Sequence, residues 1–149
     1  KDNQVAIIAG MGGNTIIDII NQSLDFTKNL DYLILASNIA SERLRVYLND
    51  NNFEIKRDFL SFENSKYYDI LKVSYGNNKN LSLAEIYYGF ENIERKSELL
   101  KEKLKIDYKK NLIFREAIIN NSKNNDGLAK INQRLKAIEE VYKIWKLEN

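Results

Sequence analysis

The chain predicts an α/β fold followed by an antiparallel pair of long helices, and three observations carry that expectation. The apolar run Val5-Ala6-Ile7-Ile8-Ala9 stops at Gly10-Met11-Gly12-Gly13, and the apolar residues after that cluster recur at helical spacing. This is the pattern of a buried parallel strand, a tight turn and the first turn of a helix. Strand and helix signals then alternate as far as Tyr75. Beyond a polar break the apolar residues recur only at the three- and four-residue spacings of helices packed against each other.

The first strand covers about residues 4–9. Asn14 is a suitable N-cap, and the helix it opens is expected to run to about Leu24, burying Ile16, Ile17, Ile19 and Ile20. Asp31 to Ala36 form a second strand, apolar on both faces, which Ser37-Asn38 ends. Ser41 to Leu48 form a short amphipathic helix with Ser41 as its cap, and Asn49-Asp50-Asn51-Asn52 breaks the chain. Two longer strands follow, Phe53 to Phe62 and Lys66 to Tyr75. The loop Glu63-Asn64-Ser65 between them is short enough for an antiparallel hairpin. The order is β-α-β-α-β-β, with the last two strands antiparallel on an otherwise parallel sheet.

Gly76-Asn77-Asn78-Lys79-Asn80 marks a boundary and divides the chain into domains at 1–76 and 77–149. After a transition through Tyr87, Tyr88, Gly89 and Phe90, one helix is expected from about Ile93 to Ile119. A turn at Asn120 to Asn125 and a second helix capped by Asp126 complete a coiled-coil-like hairpin. Its a/d seam is Leu128, Ile131, Leu135, Ile138, Tyr142 and Trp145, facing Leu100, Leu104, Tyr108 and Leu112.

Composition excludes several chemistries. Among 149 residues there is no Cys and no His, so disulfides, Cys/His metal sites, Ser–His or Cys nucleophiles and a histidine base are ruled out. No carboxylates stand at ligand spacing, and no metal is expected. The apolar runs are far short of the ~20 residues a membrane span needs, and a cytoplasmic location is expected. Charge is uneven. Residues 1–75 hold eight basic and ten acidic side chains, a net of −2, against fifteen and eleven, a net of +4, in the remainder. The second half is therefore the one to meet a polyanion.

Three motifs are candidates for function, and each has a structural alternative. Gly10-Met11-Gly12-Gly13 is neither a dinucleotide fingerprint, since Thr15 stands where the last glycine would, nor a P-loop. It serves either a ligand outside the carboxyl end of the strand or the close packing of helix on strand. Asn38, beside that turn, is either a contact to a base edge or a cap. Between Arg95 and Arg115 eight basic residues, among them Lys101, Lys105, Lys109 and Lys110, face three acidic ones. That is either an arm that grips phosphates or a solvated helix face.

Val5 to Gly13, Leu33-Ile34-Leu35-Ala36-Ser37-Asn38-Ile39 and Lys66-Tyr67-Tyr68-Asp69-Ile70-Leu71 resemble, in order and spacing, the bacterial tRNA adenine-22 N1-methyltransferases. The resemblance implies a class I, Rossmann-like methyltransferase sheet dependent on S-adenosylmethionine, here its strands four to seven. It implies tRNA as the partner and the helical hairpin as a holder of tRNA. Ala9, Gly10 and Met11 would line the cofactor. Gly10, Met11, Gly12, Gly13 and Asn38 would form the methyl-transfer site, and Arg95, Lys101, Lys105, Lys109 and Lys110 would hold the RNA. This chain has Ala36-Ser37 where the family usually has Gln-Pro, and no acidic-glycine motif precedes Lys1. The expectation is a fragment with an incomplete cofactor pocket, nearly inactive alone, that joins a missing N-terminal half or self-associates through an exposed edge strand. The competing expectation is a non-enzymatic RNA- or protein-binding remnant acting through the basic hairpin, and a third is a nucleotide-binding Rossmann half.

Overall fold

Segments rich in Val, Ile, Tyr and Phe become strands, because branched and aromatic side chains suit a pleated, half-buried surface. In the computed structural model, which describes residues 3–121 and 125–147, these are β1 (Val5–Met11), β2 (Tyr32–Ser37), β3 (Phe53–Glu63) and β4 (Lys66–Tyr75). They form one mixed sheet in the order β1-β2-β4-β3. β1 and β2 are parallel, and β4 is antiparallel to both β2 and β3. The hairpin expected from Glu63-Asn64-Ser65 is present, with β4 inserted between β2 and β3. Asn64 and Ser65 both adopt positive φ, 50° and 64°, the twist that matches a tight hairpin turn.

Three helices belong to the same part of the chain: α1 (Gly13–Gln22), α2 (Leu24–Lys28) and α3 (Ser41–Asp50). The core lies between the sheet and these helices. Ile16, Ile20, Leu33, Leu35, Leu44, Leu48, Phe53, Leu71 and Val73 are all essentially inaccessible, and Ala6, Ile8 and Ile17 pack against them. Ile17 and Ile19 are half-buried rather than buried, because the contact stripe of α1 follows its four-residue spacing, Ile16 to Ile20.

Several element ends differ from expectation. α1 begins at Gly13, with Gly12 as N-cap, not at Asn14. The amide of Gly13 donates to the carbonyl of Ile39 at 2.8 Å, so one orphan donor of the helix start is satisfied by backbone and needs no side-chain cap. The helix also stops at Gln22, and Leu24 starts a separate short helix. Ser41 is not a cap: Ala40, with φ 55°, holds that position. β1 runs past Gly10 to Met11, with a register shift after Ile8 and φ +77° at Gly10, a bulge that glycine admits without steric cost.

The chain divides into two compact units, Lys1–Leu81 and Ser82–Asn149. The second is helical: α4 (Leu83–Tyr88), α5 (Phe90–Glu94), α6 (Glu98–Asn121) and α7 (Asn125–Leu147). The stretch expected to be a transition through Tyr87 and Tyr88 is thus helix. Ser82 and Glu85 form a reciprocal capping box at its start. The long helix begins at Glu98 rather than Ile93, after a break at which Lys96 takes φ 49°. Of the expected turn, Asn120 and Asn121 belong to α6, Asn125 opens α7 with Asp126 in its first turn, and 122–124 lie outside the described residues.

The seam is only partly as expected. Ile131, Leu135, Ile138 and Trp145 are buried with Leu100 and Leu104, but Tyr108 and Tyr142 are exposed. Ala137 and Val141 are fully buried instead, because α7 packs against both α6 and α4. A helix with two partners buries a wider face than an a/d seam. The indole of Trp145 donates to the carbonyl of Ile93 at 2.9 Å, which makes it a structural residue. The Tyr88 hydroxyl donates to Asp107 at 3.0 Å, and Lys103 meets the same carboxylate at 2.8 Å. Burial, then the charge of Asp107, raise the Tyr88 pKa.

Candidate functional site

The carboxyl ends of β1 and β2 lie side by side, and the two loops that leave them are locked together. Gly12 and Gly13 are where this happens. A Cβ on Gly12 would stand 2.8 Å from Cγ1 of Ile39, and one on Gly13 would collide with the carbonyl group of Ala40. The glycines there exist so that the Ile39-Ala40 backbone can lie on the first turn of α1. Gly10 differs: no described residue stands within 4 Å of the position a Cβ would take, and Ala9, Gly10 and Met11 are exposed. One glycine cluster thus does two things. Gly12 and Gly13 admit packing, and Gly10 leaves backbone open beside it.

Asn38 sits in the same place, half-buried between Ser37 and Ile39. The loop that carries it is pinned from below, where the Ser37 hydroxyl donates to the carbonyl of Ile39 at 2.9 Å and lies 3.0 Å from the hydroxyl of Ser41. The Asn38 side chain makes no hydrogen bond with the described residues and remains available to donate and accept. Gly10 to Gly13 and Asn38, far apart in sequence, are therefore brought together.

A charged network that sequence reasoning missed lies beneath this loop. Arg45 of α3 is fully buried. Its Nε donates to Oδ2 of Asp58 at 2.7 Å, and its Nη2 donates to Oδ1 of Asp58 at 2.9 Å and Oδ1 of Asp69 at 2.8 Å. Burial opposes the guanidinium charge, but the two carboxylates outweigh it and hold the Arg45 pKa above its ordinary value. Asp69 stands in register with Ser37, the last residue of β2. The signal was present in the alternation of the strands. Asp58 shares a face with Leu60, and Asp69 shares one with Leu71, and charge at inward positions of paired strands requires a buried cation.

The basic residues of the helical unit are placed differently. Lys105, Lys109 and Lys110 of α6 are exposed, and Lys110 lies over the ring of Phe114. Lys101 is half-buried and pairs with Glu98 at 2.9 Å. Arg95, between α5 and α6, pairs with Glu91 at 3.4 Å. Lys101, Lys105 and Lys109, four residues apart, share one face of the helix. A cleft between α6 and α7 has Tyr108, Arg115 and Lys136 in its walls. No described helix is long and apolar enough to cross a membrane.

Comparison with known proteins gives these features a context. The chain is similar to a putative tRNA (m1A22) methyltransferase of Streptococcus pneumoniae, with 30% identity over 93% of this chain and 61% of that one and a TM-score of 0.80. A structure of the Streptococcus pneumoniae protein in complex with S-adenosyl-L-methionine aligns at 28% identity, 93% and 59% coverage and a TM-score of 0.78. A protein of the NADB-Rossmann superfamily from Streptococcus agalactiae aligns at 28% identity over 93% and 59% of the two chains, with a TM-score of 0.81. The chain spans about three-fifths of the length of these structures. Among curated proteins none matches. The family model for tRNA (adenine(22)-N(1))-methyltransferase matches residues 1–140, and the chain belongs to that family.

Proposed function

We propose that this chain is the C-terminal portion of a tRNA adenine-N1 methyltransferase dependent on S-adenosylmethionine, and that β1, β2, β3 and β4 are strands four, five, six and seven of its sheet. The observation that carries the reading is the locked pair of loops at the carboxyl ends of two adjacent parallel strands, where open α/β sheets bind ligands. The exposed backbone of Ala9, Gly10 and Met11 fits one wall of a cofactor site, since nothing crowds Gly10. The cofactor supplies an electrophilic methyl group when bound. The residues of this chain supply position. Asn38 holds the base by its amide, and Gly12 and Gly13 fix the loop that carries Asn38. Neutral adenine N1 is already a nucleophile, so orientation rather than acid–base chemistry is what the protein must provide.

On this reading 1–76 is the partial methyltransferase domain and 77–149 an antiparallel hairpin that binds RNA through Arg95, Lys101, Lys105, Lys109 and Lys110. Among the described residues β1 is an edge strand, with no proline or inward charge to protect it. It pairs with the remaining part of the family fold or with a second copy of the chain. Replacement of Lys101, Lys105, Lys109 and Lys110 by Glu is expected to weaken tRNA binding and flatten its dependence on salt. The expected methyl transfer to adenine 22 appears when the chain is mixed with the N-terminal portion of the Streptococcus pneumoniae relative and is absent for the chain alone. Unchanged tRNA affinity after the charge reversal rejects the role of α6. Methyl transfer that never appears, with tRNA still bound, favours a binding protein over an enzyme.

A further inference from the structure

Asp69 is bound on one side only. Its Oδ1 accepts from Arg45 at 2.8 Å. Its Oδ2 has no partner among the described residues and is not sealed from solvent, although the residue as a whole is only 9% exposed. Asp58, by contrast, accepts from Arg45 with both oxygens and is 1% exposed. One guanidinium thus serves two carboxylates. An aspartate held rigidly by a buried cation, with a single acceptor left open, is an acceptor set out for a donor that the unit itself does not supply.

Its place says which donor. Asp69 pairs across the sheet with Ser37, one residue before Asn38, at the edge of the sheet that carries the candidate site. Asn38 brings an amide that both donates and accepts, and Asp69 brings only an acceptor. Adenine presents an acceptor at N1 and a donor at its exocyclic amine, side by side on one edge. The geometry points to Asp69 as the specificity residue of the site, the carboxylate that accepts a hydrogen bond from the exocyclic amine of the target adenine. Arg45 and Asp58 are its positioning residues. This inference rests on the methyltransferase reading above.

The test is tRNA affinity, not turnover. Two transcripts are compared, one with adenosine at position 22 and one with purine riboside there, which lacks only the amine. The full chain is expected to bind the adenosine form about ten- to a hundredfold more tightly, the worth of a hydrogen bond to a charged group. Asp69→Asn keeps an oxygen for Arg45 and removes the charge, and it is expected to erase most of that difference while leaving the salt dependence unchanged. Far-ultraviolet circular dichroism shows whether the variant is folded. Equal affinity of the wild-type chain for the two transcripts overturns the assignment without any variant. So does a folded Asp69→Asn protein that still discriminates, and in both cases tRNA binding and the proposed function stand. A wild-type chain that binds neither transcript overturns both the assignment and the function.

Discussion

β1 and β2 are built from the same kind of sequence and have opposite fates. Val5-Ala6-Ile7-Ile8-Ala9 and Leu33-Ile34-Leu35-Ala36 are both apolar on both faces. β2 has a strand on each side, α1 and α3 over one face, and every second residue buried. Among the described residues β1 has a neighbour on one side only, and its residues are half-exposed at best, with Ala9, Gly10 and Met11 all exposed. Leu35 has no accessible surface, whereas Ile7 is 72% exposed. Apolar composition records what a strand can bury. Position in the sheet decides what it does bury. The strand that carries the glycine turn is the less protected of the two, and the strand that leads into the Asn38 loop is supported from beneath by charge and hydroxyl groups.

The comparison breaks most severely if the support under β2 is removed. Arg45→Met takes the buried guanidinium away from Asp58 and Asp69 and is expected to cost about 3–5 kcal/mol, measured as the shift of a urea unfolding midpoint followed by circular dichroism. A loss below about 1 kcal/mol would show that the network is solvated in solution. Leu35→Ala, in the closed centre of β2, is expected to cost about 2–5 kcal/mol by the same measurement. Gly13→Ala tests the contact that joins the two strands. Its new methyl meets backbone at Ala40, which cannot step aside as a flexible side chain would, and the expected cost is about 1–3 kcal/mol. Gly10→Ala has open space, but its φ of +77° makes the cost one of backbone strain alone, about 1 kcal/mol, so the two glycines should separate by mechanism. Ile7→Ala is expected to change stability of the chain by no more than about 0.5 kcal/mol. A loss comparable to that of Leu35→Ala would mean that β1 is covered in solution, by a second copy or another segment, and sedimentation at several concentrations would distinguish these.

How much of this was legible depends on how local each cause is. The strand positions, the β3–β4 hairpin and the packing stripe of α1 follow from side-chain period and turn chemistry, which neighbours in sequence determine. Element ends were less legible. Asn14 and Ser41 carry good capping side chains, yet neither caps, since Gly13 finds the Ile39 carbonyl and the Ser41 hydroxyl lies beside Ser37. Tyr108 of α6 and Tyr142 of α7 fit an a/d seam and are exposed; for α7 the reason is that α4 gives it a second partner. In the site, the glycine cluster and Asn38 were visible as types of residue at the ends of strands. Arg45, Asp58 and Asp69 were less so: strand alternation puts the two aspartates on inward faces with Leu60 and Leu71, but nothing local names the arginine that meets them.

The sequence by itself determined the α/β order, the two parallel strands with their loops at one edge, the helical second unit and, through its resemblance, the family. These rest on periodicity and on short motifs, in which the interacting residues are close along the chain. Only the tertiary structure decided that β4 enters between β2 and β3, that Gly12 and Gly13 serve packing while Gly10 stays open, and that a buried arginine binds two aspartates beneath Asn38. The physical reason is the same in each case. A glycine is required by the backbone that lies across it, and a buried charge is tolerated only through its partner, and in this chain those partners lie 13 and 24 residues from Arg45.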